Sequence, residues 1–167
     1  MAIQPIELRR ILGHFATGVT VVTGRSGTES RGITVNSFTS VSLDPPLVLI
    51  CIDRRARTYE FLPRAGAFAV NILGEHQRWL CERFARRSAP DVQDELAAVP
   101  HHFGMTGAPL LDGCIAYLEC RIVGRHDAGD HAIFIAEVVA ATAGEPSLPL
   151  LFFRGTYPRL ARTEILA

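Results

Sequence analysis

The sequence predicts a mainly β protein, an antiparallel barrel with two or three helices at its periphery. Three observations carry that expectation. Strand-length runs of β-branched and apolar residues recur roughly six times along the chain. They alternate with turns and short helical stretches in no regular βαβ order, which argues against a doubly wound sheet. Finally, Ile115 to Arg125 alternates with period two, Ala116, Leu118, Cys120 and Ile122 on one face and Tyr117, Glu119 and Arg121 on the other, as a half-buried antiparallel strand does.

Taken in order, Pro5 to Ala16 places Leu8, Ile11, Leu12 and Phe15 on one helical stripe and Glu7, Arg9, Arg10 and His14 on the other side, with Gly18 as the stop. Val19 to Thr23 is β-branched throughout, and the polar stretch Gly24 to Ser30 reads as a hairpin connection to a second strand near Arg31 to Phe38. Pro45-Pro46 forbids regular pairing, after which Leu47 to Ile52 is a continuous apolar run suited to a central, fully buried strand. A short helix is expected over Thr58 to Arg64, a strand over Phe68 to Leu73, and a helix over His76 to Arg86 that Pro90 keeps from extending. Ser88 to Gly107 is polar and proline-interrupted, a loop with room for one short helix. Two long strands follow, Ile115 to Arg125 and Ala132 to Ala141, joined by a tight turn over His126 to His131, and a last run covers Leu150 to Tyr157.

With 167 residues, 48% of them hydrophobic and 20% charged, the chain is expected to form one domain over 1–167 and to bury a sizeable core. Acidic and basic residues number 17 each, so no net field draws the chain to a polyanion. Every basic residue is arginine, which removes Schiff-base chemistry, the P-loop lysine and any lysine general base. Cys51, Cys81, Cys114 and Cys120 show neither CxxC pairing nor metal-ligand spacing and read as buried small hydrophobes; no metal is expected. The first residues lack the layout of a secretory signal, and no apolar run approaches the roughly 20 residues that span a bilayer, so a cytoplasmic location is expected.

No GxSxG, HExxH, GxGxxG or P-loop is present, and attention falls on two polar clusters in apolar surroundings. The first is Gly32 to Ser40, where Thr34, Val35, Asn36, Ser37 and Ser40 crowd the end of a strand with small hydrogen-bonding groups; a plain Thr- and Ser-rich edge would look the same. The second is Asp53-Arg54-Arg55-Ala56-Arg57-Thr58, directly after the apolar strand and before a helix. A solvated turn explains it as well as an anion site built from forked guanidiniums, a hydroxyl and the unpaired N–H groups of a helix start. Together the clusters suit a ligand with a phosphate at one end and a hydrogen-bonding head at the other.

The run GITVNSFTSVSLDPPLVLICIDRRART, with FATGVTVVTG before it, FAVNIL and GDHAIFIAEV after it and FFRGTY at the close, resembles the flavin reductase family with its FMN-binding split β-barrel, from about Leu8 to Leu160. The resemblance implies an NAD(P)H-dependent reductase that passes a hydride from NADH or NADPH to FMN or FAD and supplies reduced flavin to a separate oxygenase component. It sets Thr34, Val35, Asn36 and Ser37 beside the flavin head, Asp53, Arg55, Ala56 and Thr58 around the phosphate, His131 by the nicotinamide, and Arg154 and Tyr157 at positions that close the pocket. It also implies a homodimer. Asn36-Ser37 stands where the family often has Ser-Ser, and Ala56 where it often has serine; the lost phosphate contact is worth about 1.5–3 kcal/mol. Two other uses of the fold stay open, an enzyme that retains its flavin and acts on another small molecule, and a non-catalytic flavin-binding module. Elsewhere plain readings prevail: His101-His102 as a loop pair, Trp79 and Phe84 as core or subunit packing, and Arg83, Arg86 and Arg87 as a solvated face.

Overall fold

The computed structural model describes residues 3–86 and 94–161. Its centre is a seven-stranded, wholly antiparallel sheet. In chain order the strands of this sheet are β2 (Thr20–Ser26), β3 (Glu29–Val35), β4 (Thr39–Leu43), β5 (Pro46–Asp53), β6 (Ala67–Ile72), β9 (Ala116–Ala128) and β10 (His131–Ala143). Their spatial order is β3-β2-β6-β9-β10-β5-β4. Two small ribbons accompany it, β1 (Thr17–Gly18) with β11 (Leu151–Phe152), and the hairpin β7 (His101–Phe103) with β8 (Pro109–Leu111).

The order of strands forces the sheet to roll. β3 and β4 lie at opposite edges, yet only residues 36–38 join them. Four Cα steps reach at most about 14 Å, whereas the edges of a flat seven-stranded sheet stand about 29 Å apart. The sheet therefore curls until its edges nearly meet, with no ladder between β3 and β4 among the described residues. Ser37 spans the seam instead: its hydroxyl donates to the Cys51 carbonyl at 3.0 Å and accepts from the Cys51 N–H at 3.1 Å, acting as a one-residue strand partner for β5.

Inside the roll Val22, Val35, Ile50, Ile52, Phe68, Val70 and Phe134 form the main core. Helix α2 (Arg57–Ala65) adds Tyr59, Phe61 and Leu62 to it. A second core lies on the other face of β2, where Val19 and Val21 meet Leu73, Leu80, Phe84 and Leu111. Strand β2 is buried on both faces, which accounts for its unbroken β-branched run. Helix α3 (Arg78–Phe84) supplies the outer layer there.

Several expectations change. The sequence suggests about six strands; eleven are present among the described residues, because β1, β4, β7 and β8 are too short to show a period of their own, and the last expected run, Leu150 to Tyr157, forms a strand only at β11. Leu47–Ile52 is expected to be a central, fully buried strand, but β5 lies next to the edge, between β10 and β4, and buries one face only: Val48, Ile50 and Ile52 enter the core while Leu47, Leu49 and Cys51 stay partly exposed. The hairpin after β2 is a two-residue turn at Gly27-Thr28, with Gly27 at φ +61°, rather than a long polar connection. Pro46 pairs with Leu43, so the prolines fall in a β4–β5 hairpin on the edge, where a missing N–H is tolerated. The helix expected over His76 to Arg86 divides into a 3-10 turn (Glu75–Gln77) and α3. The short helix allowed within Ser88 to Gly107 has no counterpart in its described part, which holds turns and β7; Arg87, Pro90 and the start of that stretch lie outside the described residues.

The first helix, α1 (Pro5–Leu12), ends at Gly13 rather than Gly18 and buries none of its side chains. Its apolar stripe faces outward, with Ile6 80% and Leu12 61% exposed, near Phe15 at 77%. No helix among the described residues is long and apolar enough to cross a membrane.

Candidate functional site

A cleft of about 910 Å3 opens along the barrel seam. One wall is the end of β3, Gly32 to Val35, continuing into Asn36 and Ser37. Opposite stand Cys51 and Asp53 of β5, the turn Arg55-Ala56 and the start of α2 at Arg57-Thr58. The C-terminal end of α3, from Arg83 to Arg86, and the segment at Asp94, Glu95, Ala97 and Ala98 complete it, with His131 at the rim. Two distant polar clusters of the sequence thus meet because β3 and β5 are brought together where the sheet closes on itself.

Asp53 organises the turn into α2. Its carboxylate accepts from the Arg55 N–H at 2.9 Å and from the Arg55 guanidinium at 3.1 and 2.8 Å. The guanidinium and the backbone N–H hold its carboxyl well below the usual carboxylate range. The Asp53 carbonyl accepts from the Ala56 N–H at 2.8 Å, and the chain then enters α2. Ala56 is the N-cap residue and makes no side-chain capping bond, so the start of α2 at the cleft carries no side-chain cap. Thr58 follows. Its side chain is 5% exposed, and its Oγ1 is the one buried side-chain polar atom without a hydrogen-bond partner among the described residues. A buried, unsatisfied hydroxyl at the uncapped, positive end of a helix is suited to an anion. The residues present therefore fit a phosphate-bearing ligand.

The run beside β3 is more committed. The Thr34 hydroxyl donates to the Cys81 carbonyl at 2.7 Å, fixing α3 to β3, and the Ser37 hydroxyl is held by Cys51. Asn36 reaches the Thr17 hydroxyl at 3.4 Å. The edge of β3 that does not pair with β2, together with Asn36 and Ser37, borders the cleft. At the rim, β10 pairs with β5 so that His131 lies opposite Asp53. His131 Nδ1 is 2.7 Å from the Asp130 carboxylate, which leaves Nε2 as the ring nitrogen for a ligand. The same contact holds the Asp130 carboxyl below its ordinary range.

Of the residues expected at the site, Thr34, Val35, Asn36, Ser37, Asp53, Arg55, Ala56, Thr58 and His131 line this one cleft. Ser40, Arg154 and Tyr157 do not. Ser40 is exposed on edge strand β4. Arg154 sits at φ +50° with its N–H on the Gly13 carbonyl. Tyr157 packs on the second core with its hydroxyl 3.2 Å from Cys81 Sγ, and burial raises its pKa to about 12. Arg83, read as a solvated side chain, is exposed, and it also donates to the Glu95 carbonyl at 3.1 Å and lines the cleft. Trp79 is half exposed while Phe84 is buried in the cleft wall. His101 and His102 lie in β7, His102 paired with Asp112 at 2.9 Å.

Sequence reasoning missed Cys51, Phe84 and Glu95 at the site, and took Gly32 only as the start of the first polar cluster. A signal existed for Gly32, since glycine within a β-branched strand marks close approach: a Cβ there would stand 2.7 Å from the Phe84 ring. Glu95 carried none. Its carboxylate accepts from Arg31 at 3.2 Å, from the Gly32 N–H at 3.2 Å and from Arg57 at 2.5 Å, all far away in the chain.

The sequence profile of the flavin reductase like domain matches residues 12–161. An NADH-dependent FAD reductase of Streptomyces globisporus is 45% identical over 157 residues, covering 93% of this chain and 86% of that protein. The reductase component of a 4-nitrophenol 4-monooxygenase/4-nitrocatechol 2-monooxygenase of Rhodococcus opacus is 40% identical, covering 93% and 82%. The solved NADH:FAD oxidoreductase of Streptomyces globisporus, in complex with NAD and FAD fragments, superposes with a TM-score of 0.88 at 41% identity, covering 99% of each chain.

Proposed function

The chain belongs to the flavin reductase-like family, and from that premise we propose that it is an NADH:flavin oxidoreductase whose flavin, FAD or FMN, is a substrate that leaves reduced for a separate monooxygenase component. One observation carries the reading: the buried, unpartnered Thr58 hydroxyl at the uncapped start of α2, in a cleft whose rim holds His131. NADH and FAD are supported by the names of the Streptomyces relatives, and a separate oxygenase by the reductase component from Rhodococcus opacus.

When bound, a reduced nicotinamide and a flavin carry the hydride chemistry between themselves, which is why the cleft needs no nucleophile or acid–base pair. What this chain supplies is binding and distance. Thr58 Oγ1 and the N–H groups at the start of α2 hold the flavin phosphate. The backbone from Thr34 to Ser37 and the Asn36 amide take the polar edge of the flavin ring. His131, oriented by Asp130, places the nicotinamide at the rim. Ser40, Arg154 and Tyr157, outside this cleft in the single chain, would act only where a second subunit abuts it.

The outward apolar surface of Ile6, Leu12, Phe15 and Leu43 fits a homodimer, in which a second copy covers it. Phe15→Glu is expected to shift the molar mass in solution from dimer to monomer; a wild-type chain already monomeric at working concentration would refute this part.

The function is tested by anaerobic mixing of NADH with FAD and catalytic protein. Reduction of many flavins per protein is expected. A tightly copurifying flavin that is reduced once and passes electrons only to another acceptor would favour a retained cofactor, and binding of flavin without any reduction would favour a non-catalytic module.

A further inference from the structure

The cradle at the start of α2 is flanked by two arginines, and both are already paired. Arg55 is held by Asp53 at 2.8 Å, and Arg57 by Glu95 at 2.5 Å. The two carboxylates are not placed alike. Asp53 precedes Arg55 by two residues, a local turn contact, whereas Glu95 arrives from a separate segment stitched to β3: its N–H donates to the Ser30 carbonyl at 3.0 Å and its own carbonyl accepts from Arg83 at 3.1 Å. The Glu95 side chain is 11% exposed and also bound by Arg31 and the Gly32 N–H, so the carboxylate stays in place whether or not Arg57 holds it. Arg57 is more open, at 34%. The fold has thus built a fixed negative charge into the wall beside a phosphate cradle.

We propose that Glu95 sets the affinity of this cradle, acting as an internal anion that occupies Arg57 and keeps a phosphate-bearing flavin loosely held. The proposal rests on the reading of the cleft as a flavin site and deepens it. An arriving phosphate meets hydrogen-bond donors whose two flanking guanidiniums are already engaged, Arg55 by Asp53 and Arg57 by Glu95. To engage Arg57 it must share that side chain with Glu95, and it experiences the Glu95 charge across a partly solvated wall in either case. A flavin that must bind, accept a hydride and leave is served by such a site; a prosthetic group would be served by arginines left free for it. The penalty scales with charge on the nearest phosphate. FMN, with a terminal phosphate near two negative charges, feels it most, FAD less, and riboflavin not at all.

The test is equilibrium titration of the full chain, wild type and Glu95→Gln, with riboflavin, FMN and FAD, followed by flavin fluorescence. Glutamine keeps the shape of the side chain and an acceptor for the Gly32 N–H. FMN is expected to bind about tenfold tighter to the variant, the scale of one nearby unit charge in a partly solvated setting, with FAD changing less and riboflavin by less than about twofold. Glu95→Asp, which keeps the charge, should leave FMN within about twofold of wild type. An unchanged or weaker FMN affinity in Glu95→Gln, an equal change for all three flavins, or the same tightening in Glu95→Asp overturns the proposal. If no flavin binds either protein, the flavin-site reading itself fails and takes this proposal with it; if riboflavin binds but the FMN-to-riboflavin ratio does not move, only the role of Glu95 fails.

Discussion

Replacing Thr58 by valine separates stability from binding, because the two should move in opposite directions. In the ligand-free chain the Thr58 hydroxyl is buried and makes no hydrogen bond, and such a group costs about 1–3 kcal/mol. Valine fills nearly the same volume, and its helix propensity is close to that of threonine in the first turn of α2. Thr58→Val is therefore expected to raise unfolding stability by about 1 kcal/mol, the lower end of that cost once local relaxation is allowed for. Binding should lose the bond from the hydroxyl to a charged phosphate, about 1.5–3 kcal/mol, or roughly 10- to 150-fold in the Kd for FMN. Riboflavin, which has no phosphate, should bind both proteins alike. Urea unfolding without flavin reads the first effect, and fluorescence titration with FMN and riboflavin reads the second. A variant that is less stable, or one in which FMN and riboflavin weaken together, would refute the assignment of Thr58 as an idle phosphate donor.

Three further outcomes follow from the same geometry. Ser37→Ala removes the hydroxyl that both donates to and accepts from Cys51 across the barrel seam, and should cost about 1–3 kcal/mol in urea unfolding while weakening riboflavin and FMN equally. His131→Ala should raise KM for NADH at least several-fold while leaving the Kd for flavin unchanged; equal loss of flavin affinity would place the histidine elsewhere in the scheme. Asp53 has its carboxyl held below the ordinary value by Arg55, so its contribution to folding is full above about pH 5 and is lost as pH falls through and below about 4. The stability gap between wild type and Asp53→Asn should accordingly be widest near neutrality and shrink in acid, and a gap that widens in acid would contradict the pairing.

Much of this architecture can be read from local pattern. The β-branched run of β2, the apolar run of β5 and the period-two alternation of β9 each state their own conformation, and the passage through Asp53 to Thr58 states a strand–turn–helix that suits a solvated turn or an anion site alike. The resemblance to flavin reductases rests on those same stretches. What local pattern does not state is which side chains are already spent. Thr34 and Ser37 look like ligand contacts because hydroxyls crowd a strand end, yet one fixes α3 and the other closes the seam, and only the approach of Cys81 and Cys51 reveals it. Glu95 lies in a polar stretch without periodicity, and its three partners sit 38 to 64 residues away. The stripe on α1 is legible as amphipathic, but nothing in a single sequence says whether such a face meets its own core or another molecule; here it meets no core.

The central claim is that flavin passes through this cleft as a substrate, and the steady-state oxidation of NADH by the purified protein, with and without added FAD or FMN, tests it most directly. The account predicts a rate near background without flavin that rises and saturates as either flavin is added. No acceleration with both flavins supplied, or a full rate that added flavin does not change, would contradict it.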